Sequence, residues 1–176
     1  MKVKRTTTIK TESYQVGDVI SFKLKTGEKV KAMAVDQDTE GTTFLFVACL
    51  GKEYPMNLIG TVEGGYDASE LRKTLNSDIL KTFPGKIREL MLPVYEDDLL
   101  TIPCRADIFG EESWEPMKKR RNRMAFRGRK EELEWYWNRD VVSSTYFAYV
   151  TSIGLSYATY ASYVYGVRPA FRIRNL

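Results

Sequence analysis

Tyrosine and serine side chains are concentrated near the C-terminal end of this 176-residue chain. Residues 141–176 contain six of the eleven tyrosines and five serines, but no lysine, aspartate or glutamate. Tyrosine offers a large, rigid, amphipathic contact area at small entropic cost, and serine offers adaptable hydrogen bonds, so this composition is typical of binding surfaces. Tyrosines in antiparallel strands also half-bury themselves against their neighbours. Composition alone therefore leaves recognition and packing equally open.

The tyrosines differ in how much room their sequence neighbours leave for a ligand. The better candidates are separated by short residues, and they are Tyr157, Tyr160, Tyr163 and Tyr165. Tyr146 and Tyr149 fall on opposite faces of a predicted strand over residues 145–153, so only one of the two faces can meet a ligand. The predicted ligand-binding residues are Tyr146, Tyr149, Ser156, Tyr157, Tyr160, Ser162, Tyr163 and Trp114.

A second distinctive stretch is the basic run from Lys118 to Lys130, which carries eight cationic side chains and no acidic one. Such a run can follow phosphate groups, and Phe126 within it can stack on a base. The polyanion-binding residues under this alternative are Lys118, Lys119, Arg120, Arg121, Arg123 and Arg127. Glutamates flank the run, at positions 111, 112, 115, 131, 132 and 134. Because these acids partly neutralise it, we favour a solvated loop over a nucleic-acid groove.

The chain contains no histidine, which removes the commonest general base and the commonest metal ligand. Ser-His-Asp triads, Cys-His pairs and histidine-containing zinc sites are therefore excluded. Cys49 and Cys104 have apolar and proline-flanked settings that are typical of buried or incidental thiols, with a disulfide as the less favoured alternative. The acid pair Asp97-Asp98 indicates solvent-facing charge. The sequence predicts no catalytic residue, no metal site, no cofactor and no enzymatic activity.

Length and composition favour a single domain over residues 1–176. The hydrophobic and charged fractions, 43% and 28%, are close to the averages of soluble globular proteins. The basic start from Met1 to Thr8 has no apolar segment behind it and differs from a secretory signal. The uncharged stretch 141–167 is too interrupted by polar residues to span a bilayer. We therefore expect no membrane span and a cytoplasmic or virion-associated location.

Hydrophobic alternation near the start of the chain, and strand-type composition punctuated by Gly154 and Gly166 near its end, predict strands in both regions. The predicted strands cover residues 18–24, 29–35, 43–50, 145–153, 156–165 and 167–173. The third of these is apolar almost throughout, which predicts burial on both faces. Pro169 cannot donate to a strand ladder, so it favours an edge or the start of the last strand.

Two helices and a long loop are predicted between these strands. Asp67 and Glu70 have the spacing of a capping box, before a helix that buries Leu71 and Leu75 on one face. Pro84 can begin a second short helix, over residues 84–91. These helices and the strands together predict an α+β fold.

The segment 105–134 is predicted to be a long charged loop that runs over one side of the domain. Loops of that length in compact domains are usually functional or mobile. Trp135 and Trp137 are expected to anchor the loop to the core, because tryptophans at such positions more often pack than bind. Residues 141–176 follow as the tyrosine- and serine-rich terminal strands.

Four stretches carry a family resemblance, and together they cover most of the chain. They are the early strands from Tyr14 to Leu50, GYDASELRKTLN at 65–76, WYWNRD at 135–140 and YGVRPAFRI at 165–173. In this order they resemble an uncharacterised bacterial and phage family of C-type-lectin-like domains, related in fold to formylglycine-generating enzymes. The helix stretch and the GVRPAF ending are the specific parts of the likeness.

The resemblance implies a small twisted antiparallel sheet flanked by two helices, with a long irregular loop region supported on it. It also implies that the segment before GVRPAF is an exposed binding face, as in the variable proteins of diversity-generating retroelements. The function implied is non-catalytic recognition of a protein or glycan ligand, by a phage or retroelement-diversified display protein. A structural surface or virion component is a further alternative.

Departures from these relatives limit what the resemblance implies. Formylglycine-generating enzymes work with cysteines near the C-terminal end of the fold, and no cysteine follows Cys104 here. Calcium-dependent lectins use a Glu-Pro-Asn loop and a Trp-Asn-Asp strand. Glu115-Pro116-Met117 and Trp137-Asn138-Arg139-Asp140 match these only in part, so neither activity is carried over.

Overall fold

The first third of the chain forms three antiparallel strands, as the alternating sequence predicts. The computed structural model describes residues 14–127 and 132–175. In it, β1 (Val19–Lys23) pairs with β2 (Lys29–Gln37), and β2 pairs with β3 (Gly41–Phe46). The basic start Met1–Thr8, residues 128–130 of the basic run and the flanking Glu131 lie outside the described residues.

The rest of the described chain adds ten short strands, four short α-helices and four further helical turns, of which the π-helical turn Leu75–Ile79 directly continues the first helix. The strands are β4 (Tyr54–Pro55), β5 (Met91–Leu92), β6 (Leu100–Thr101), β7 (Ala125–Phe126), β8 (Leu133–Glu134), β9 (Tyr136–Val141), β10 (Tyr146–Val150), β11 (Ser156–Tyr160), β12 (Val164–Tyr165) and β13 (Ala170–Arg174). The helices are α1 (Glu70–Thr74), α2 (Gly85–Arg88), α3 (Arg105–Ile108) and α4 (Arg120–Arg123).

The main sheet joins the two ends of the described chain. Its strand order is β1-β2-β3-β13-β5, and β6 also pairs with β13. A second sheet has the order β11-β10-β9, and two ribbons pair β12 with β4 and β7 with β8. Every pairing between these strands is antiparallel. The predicted α+β class, with a mostly antiparallel sheet, is therefore confirmed.

The centre of the main sheet is buried on both faces. Phe44 of β3 and Phe171 of β13 stack with 5.6 Å between ring centroids, and they belong to the larger core cluster. Leu45 and Ala170, which alternate with them, are buried in a second cluster. Side chains of successive strand residues point to opposite faces, so one apolar run supplies both cores. The prediction that the third strand is buried on both sides is confirmed.

The helices differ from prediction in their ends. Ser69, not Asp67, caps the first helix, because its side chain accepts the backbone N–H of Arg72 at 3.1 Å. Leu71 and Leu75 are buried as predicted. The second predicted helix, 84–91, is shorter than expected, since α2 ends at Arg88 and β5 follows. In the part of the chain that the structure describes, no helix is long and apolar enough to cross a membrane.

The predicted loop at 105–134 is wrong in part, because short elements interrupt it. Two helices, α3 and α4, and the β7–β8 ribbon lie within this segment. The last predicted strand starts late, at Ala170, directly after Pro169. It lies inside the sheet and not at its edge, so Pro169 marks a strand start.

Candidate functional site

The β9–β10–β11 sheet carries most of the predicted ligand-binding tyrosines. Its register places Tyr149 of β10 opposite Trp137 of β9 on one side and Tyr157 of β11 on the other. Trp137 is completely buried and Tyr157 is 58% exposed. Directly opposed residues in an antiparallel pair share a face, so this row of aromatic side chains runs from the core to the solvent.

Seven aromatic rings form one continuous cluster, which we call the tyrosine surface. Its members are Trp135, Tyr146, Tyr149, Tyr157, Tyr160, Tyr163 and Tyr165. Neighbouring centroids lie 4.8 Å apart for Tyr146–Tyr160, 5.6 Å for Tyr160–Tyr163, 6.4 Å for Tyr163–Tyr165, 4.9 Å for Tyr149–Tyr165 and 6.4 Å for Tyr149–Tyr157. Trp135 joins this chain at 5.4 Å from Tyr165 and 5.7 Å from Tyr149. These separations are those of attractive aromatic pairs.

Four rings of the tyrosine surface are open to solvent, and three support them. The exposed rings are Trp135, Tyr157, Tyr160 and Tyr163, with exposed fractions from 42% to 58%. The half-buried rings are Tyr146, Tyr149 and Tyr165. Burial raises the pKa of Tyr149, and the neighbouring Tyr165 adds to this effect. Its hydroxyl therefore remains neutral at physiological pH.

The two predicted serines have different surroundings. Ser162 is exposed, next to Tyr163. The Ser156 hydroxyl is buried, with no hydrogen-bond partner among the described residues. Because a buried hydroxyl cannot reach a ligand without movement of the strand, the prediction that Ser156 contacts the ligand is not supported.

A rigid base lies under the tyrosine surface. Phe147, Ala148 and Val150 of β10 are completely buried, so the core covers part of both faces of that strand. Tyr146 opposes Tyr160 and Tyr149 opposes Tyr157, so these two pairs lie on opposite faces of the β10–β11 pair, as the sequence predicts, and the cluster joins them through Tyr163 and Tyr165. The indole Nε1–H of Trp137 donates to the Tyr54 carbonyl at 2.8 Å, and its ring lies 5.0 Å from that of Tyr165. The prediction that Trp137 anchors the chain to the core is confirmed.

Trp135 and Trp114 exchange their predicted roles. Trp135, expected to be an anchor, is exposed and belongs to the tyrosine surface. Trp114, expected to contact a ligand, packs instead against the second core cluster beside Phe109. The structure does not bring Trp114 together with the tyrosines. Sequence alone could not separate these cases, because both tryptophans lie in charged surroundings without a clear period.

Two exposed aliphatic side chains lie in a turn that is hydrogen-bonded to the tyrosine-bearing segment, and sequence reasoning missed them. Leu58 and Ile59 are 72% and 86% exposed. Their turn is well held, since the buried Asn57 side chain donates to the Thr61 carbonyl at 2.7 Å and the Asn57 N–H donates to the Ala161 carbonyl at 3.0 Å. Leu58 and Ile59 become candidate ligand contacts because a well-ordered turn exposes both side chains to water, and this arrangement is seen in the fold and not in the sequence.

The basic run is largely engaged within the protein. Arg120 and Arg123 donate through Nε to the carbonyls of Ile153 and Gly154, at 2.7 and 3.2 Å. Arg127 pairs with Glu53 and Glu134, and Lys118 with Glu115. Among the predicted polyanion-binding residues this leaves Lys119 and Arg121 exposed with no partner in the described ranges. The prediction of a solvated loop is therefore wrong in part, because two arginines of the run are hydrogen-bonded to the turn before β11.

The two thiols are poorly placed for nucleophilic chemistry. Both are free, and Cys49 is buried. Burial raises the pKa of the Cys49 thiol to about 12, and burial also raises the pKa of Cys104. Reactive cysteines need a lowered pKa and access to solvent. Within residues 14–127 and 132–175, no three acidic or cysteine side chains are grouped as a metal would require.

Comparison with known proteins assigns no relative. No family model matches the chain, and neither the curated proteins nor the solved structures contain a significant match.

Proposed function

We propose that this protein is a non-catalytic recognition domain that binds a protein ligand through the tyrosine surface. The single observation that carries the proposal is the continuous cluster of seven rings on a buried base, four of them open to solvent. Rigid aromatic side chains bind at low entropic cost because their conformations are already restricted in the free protein.

The surroundings of the tyrosine surface favour a protein over a glycan as the ligand. Residues 141–167 carry no charged side chain. Val164 is an exposed aliphatic residue between Tyr163 and Tyr165, and Leu58 and Ile59 are exposed in the turn that is hydrogen-bonded to Ala161. Isolated exposed apolar residues are common, but clusters of aliphatic and aromatic side chains mark protein-binding sites. A glycan would use the rings and leave the two side chains of the Leu58–Ile59 turn without a role.

The non-catalytic part of the proposal is supported by the available side chains. The chain has no histidine, and the pKa of each thiol is raised by burial. A nucleophile or general base needs a pKa suited to its task. The side chains gathered at the tyrosine surface are phenols and an indole, which suit binding rather than proton transfer.

The proposal includes the C-type-lectin-like architecture that the sequence resembles. It is supported by the antiparallel α+β fold and by the exposure of tyrosines in the segment that precedes GVRPAF. On this view the GVRPAF strand belongs to the scaffold and the strands before it carry the variable contacts, as in the variable proteins of diversity-generating retroelements.

A peptide-display selection on the purified protein tests the proposal. Peptides enriched from a random displayed library would be measured against the wild type and a Y157A/Y160A/Y163A variant, with a glycan array probed in parallel. We expect the triple substitution to weaken the selected peptides by about thirtyfold or more, because these rings would be the energetic centre of the contact. A V16A/V19A/F126A variant, which removes exposed apolar side chains elsewhere, is the matched control.

The outcomes of this selection are distinct. Loss of binding in the tyrosine variant but not in the control supports the proposal. Equal binding by both variants rejects the site, and glycan binding without peptide binding rejects the protein ligand. Thermal unfolding of each variant shows whether a loss of binding reflects loss of the fold.

A further inference from the structure

A cleft of about 610 Å³ lies beside the β1–β2 hairpin, outside the tyrosine surface. Its walls come from β1, from β2 and from the segment that follows β3. Sites for small molecules are commonly clefts of this size, on the order of 300 to 1,000 Å³. The cleft therefore has room for one small ligand.

Three lysines line this cleft on one face of the hairpin. The register places Lys23 directly opposite Lys29, and Lys31 follows two residues along the same strand. Residues that are directly opposed share a face, and like charges in that position destabilise a strand pair. The hairpin thus keeps an unfavourable charge arrangement that a bound anion would relieve.

The carboxylate nearest to these lysines is occupied elsewhere. Among the described lining residues, Glu28 is the one acid. Its Oε1 accepts the backbone N–H of Gly51 at 2.9 Å. This contact directs the carboxylate to a turn, so the three ammonium groups outnumber the acid in the cleft and set a positive potential there.

The rest of the wall is mainly apolar. Val47 and Ala48 contribute half-buried apolar surface to it, and the Val47 N–H donates to the Lys31 carbonyl at 2.8 Å, which places Val47 opposite Lys31. Phe22 and Phe46 pack against each other on the core face of the same strands, with 6.1 Å between ring centroids, and support this wall from behind. The methylene stems of the lysines extend this apolar area while their charged ends remain at the rim. The cleft therefore combines a firm apolar wall with a cationic edge.

We propose that this cleft binds a small anionic amphiphile. The apolar body of the ligand lies against Val47 and Ala48, and its single carboxylate, sulfonate or phosphate lies between Lys23, Lys29 and Lys31. Charge complementarity at the rim and apolar contact in the wall are both required. This site is independent of the tyrosine surface, and neither depends on the other being correct.

The direct test uses 8-anilinonaphthalene-1-sulfonate as an anionic probe and its neutral analogue N-phenyl-1-naphthylamine. Fluorescence titration would compare the wild type with K23Q/K29Q/K31Q. A K25Q/K81Q/K86Q variant, which removes three exposed lysines outside the cleft, has the same net charge. We expect the first variant to bind the anion about tenfold or more weakly and the control to match the wild type, because charge-assisted contacts are lost only in the cleft.

Two further variants locate the probe. In V47W a larger side chain occupies part of the cleft. We expect it to displace the anionic probe, although Lys23, Lys29 and Lys31 are all still present. The Y157A/Y160A/Y163A variant should bind the probe as the wild type does. If the tyrosine variant loses the probe instead, the probe binds the tyrosine surface and the cleft proposal is rejected.

Three other results would overturn the proposal. Equal affinity for the neutral analogue means that the lysines are not used. Equal weakening in the control variant means that the probe responds to net charge alone. Binding to phosphatidylglycerol vesicles without binding of the soluble probe means that the lysines face a membrane surface rather than a free amphiphile.

Discussion

The guanidinium of Arg168 lies over the ring of Tyr136, with 5.3 Å from its Cζ to the ring centroid, and its Nη1 donates to the Tyr136 hydroxyl at 3.1 Å. The same side chain donates through Nε to the Phe46 carbonyl at 2.6 Å and through Nη1 to the Asn122 carbonyl at 2.9 Å. Arg168 is 2% exposed. The arginine of the GVRPAF ending therefore ties β3 and the basic run to β9, which is a strand of the sheet that carries the tyrosines.

Substitution of Arg168 should destabilise the whole domain. In R168M the acceptors on Phe46, Asn122 and Tyr136 lose their donor inside the protein, and each unsatisfied buried group is costly. We expect the free energy of unfolding to fall by about 2–4 kcal/mol, measured by urea denaturation. R174M, at an exposed position of the same strand, should change it by less than about 0.5 kcal/mol. Equal effects of the two substitutions would contradict this assignment.

Gly166 is expected to tolerate no side chain. A Cβ at this position would lie 2.5 Å from the Glu134 Cγ, 2.8 Å from the Trp135 carbonyl oxygen and 2.9 Å from the Cys49 Sγ. In G166A the backbone must move, and overpacking of this kind costs about 1–3 kcal/mol. G85A is the control, because nothing lies within 4 Å of its added Cβ. If G166A has the same thermal unfolding temperature as the wild type, the backbone around Gly166 can move without cost and the prediction is wrong.

The two tryptophans near β9 should respond differently to the same change. W137F removes the donor to the Tyr54 carbonyl and leaves a buried gap, so we expect a loss of about 2–3 kcal/mol of stability. W135F changes an exposed ring and should cost less than about 0.5 kcal/mol. In ligand-binding experiments W135F should cause the larger loss of affinity and W137F the smaller one, because Trp135 belongs to the tyrosine surface. Chemical denaturation of both variants, followed by circular dichroism, measures the first difference.

The Cys49 thiol should make stability depend on pH in the alkaline range. Burial raises its pKa from 9.0 to about 12, so above pH 9 the unfolded thiol ionises while the folded thiol keeps its proton. The unfolded state then binds fewer protons, and stability falls as pH rises through this window, by up to about 1.4 kcal/mol per pH unit.

A comparison of the wild type with C49A isolates this contribution, since all other titrating groups are shared. The difference in free energy of unfolding between them should be constant from pH 7 to 8 and should change between pH 9 and 10 in favour of C49A. A difference that stays constant up to pH 10 would mean that Cys49 is more accessible to water than its burial indicates.

The local pattern of residue types in the sequence determined several secondary-structure elements and the segment that carries the exposed tyrosines. Alternation in residues 18–24 predicted the first strand, because one apolar side chain in two is enough to bury one face of a sheet, and the apolar run 43–50 predicted a third strand that is buried on both faces. Leu71 and Leu75, four residues apart, predicted the buried face of the first helix. The concentration of tyrosines predicted which segment carries the exposed rings. Each of these depends on neighbours in sequence, so the sequence contained the necessary information.

The tertiary structure alone decided which side chains meet. Trp114 and Trp135 have similar sequence surroundings, yet one packs in a core cluster and the other joins the tyrosine surface, because strand pairing brings only Trp135 beside Tyr165. The arginines of the basic run contact carbonyls about 30 residues away in sequence, and the turn that holds Leu58 and Ile59 is joined to the tyrosine-bearing segment by the pairing of β4 with β12 and by the Asn57–Ala161 hydrogen bond. Contacts between distant segments depend on chain topology, and no local period of residues encodes them.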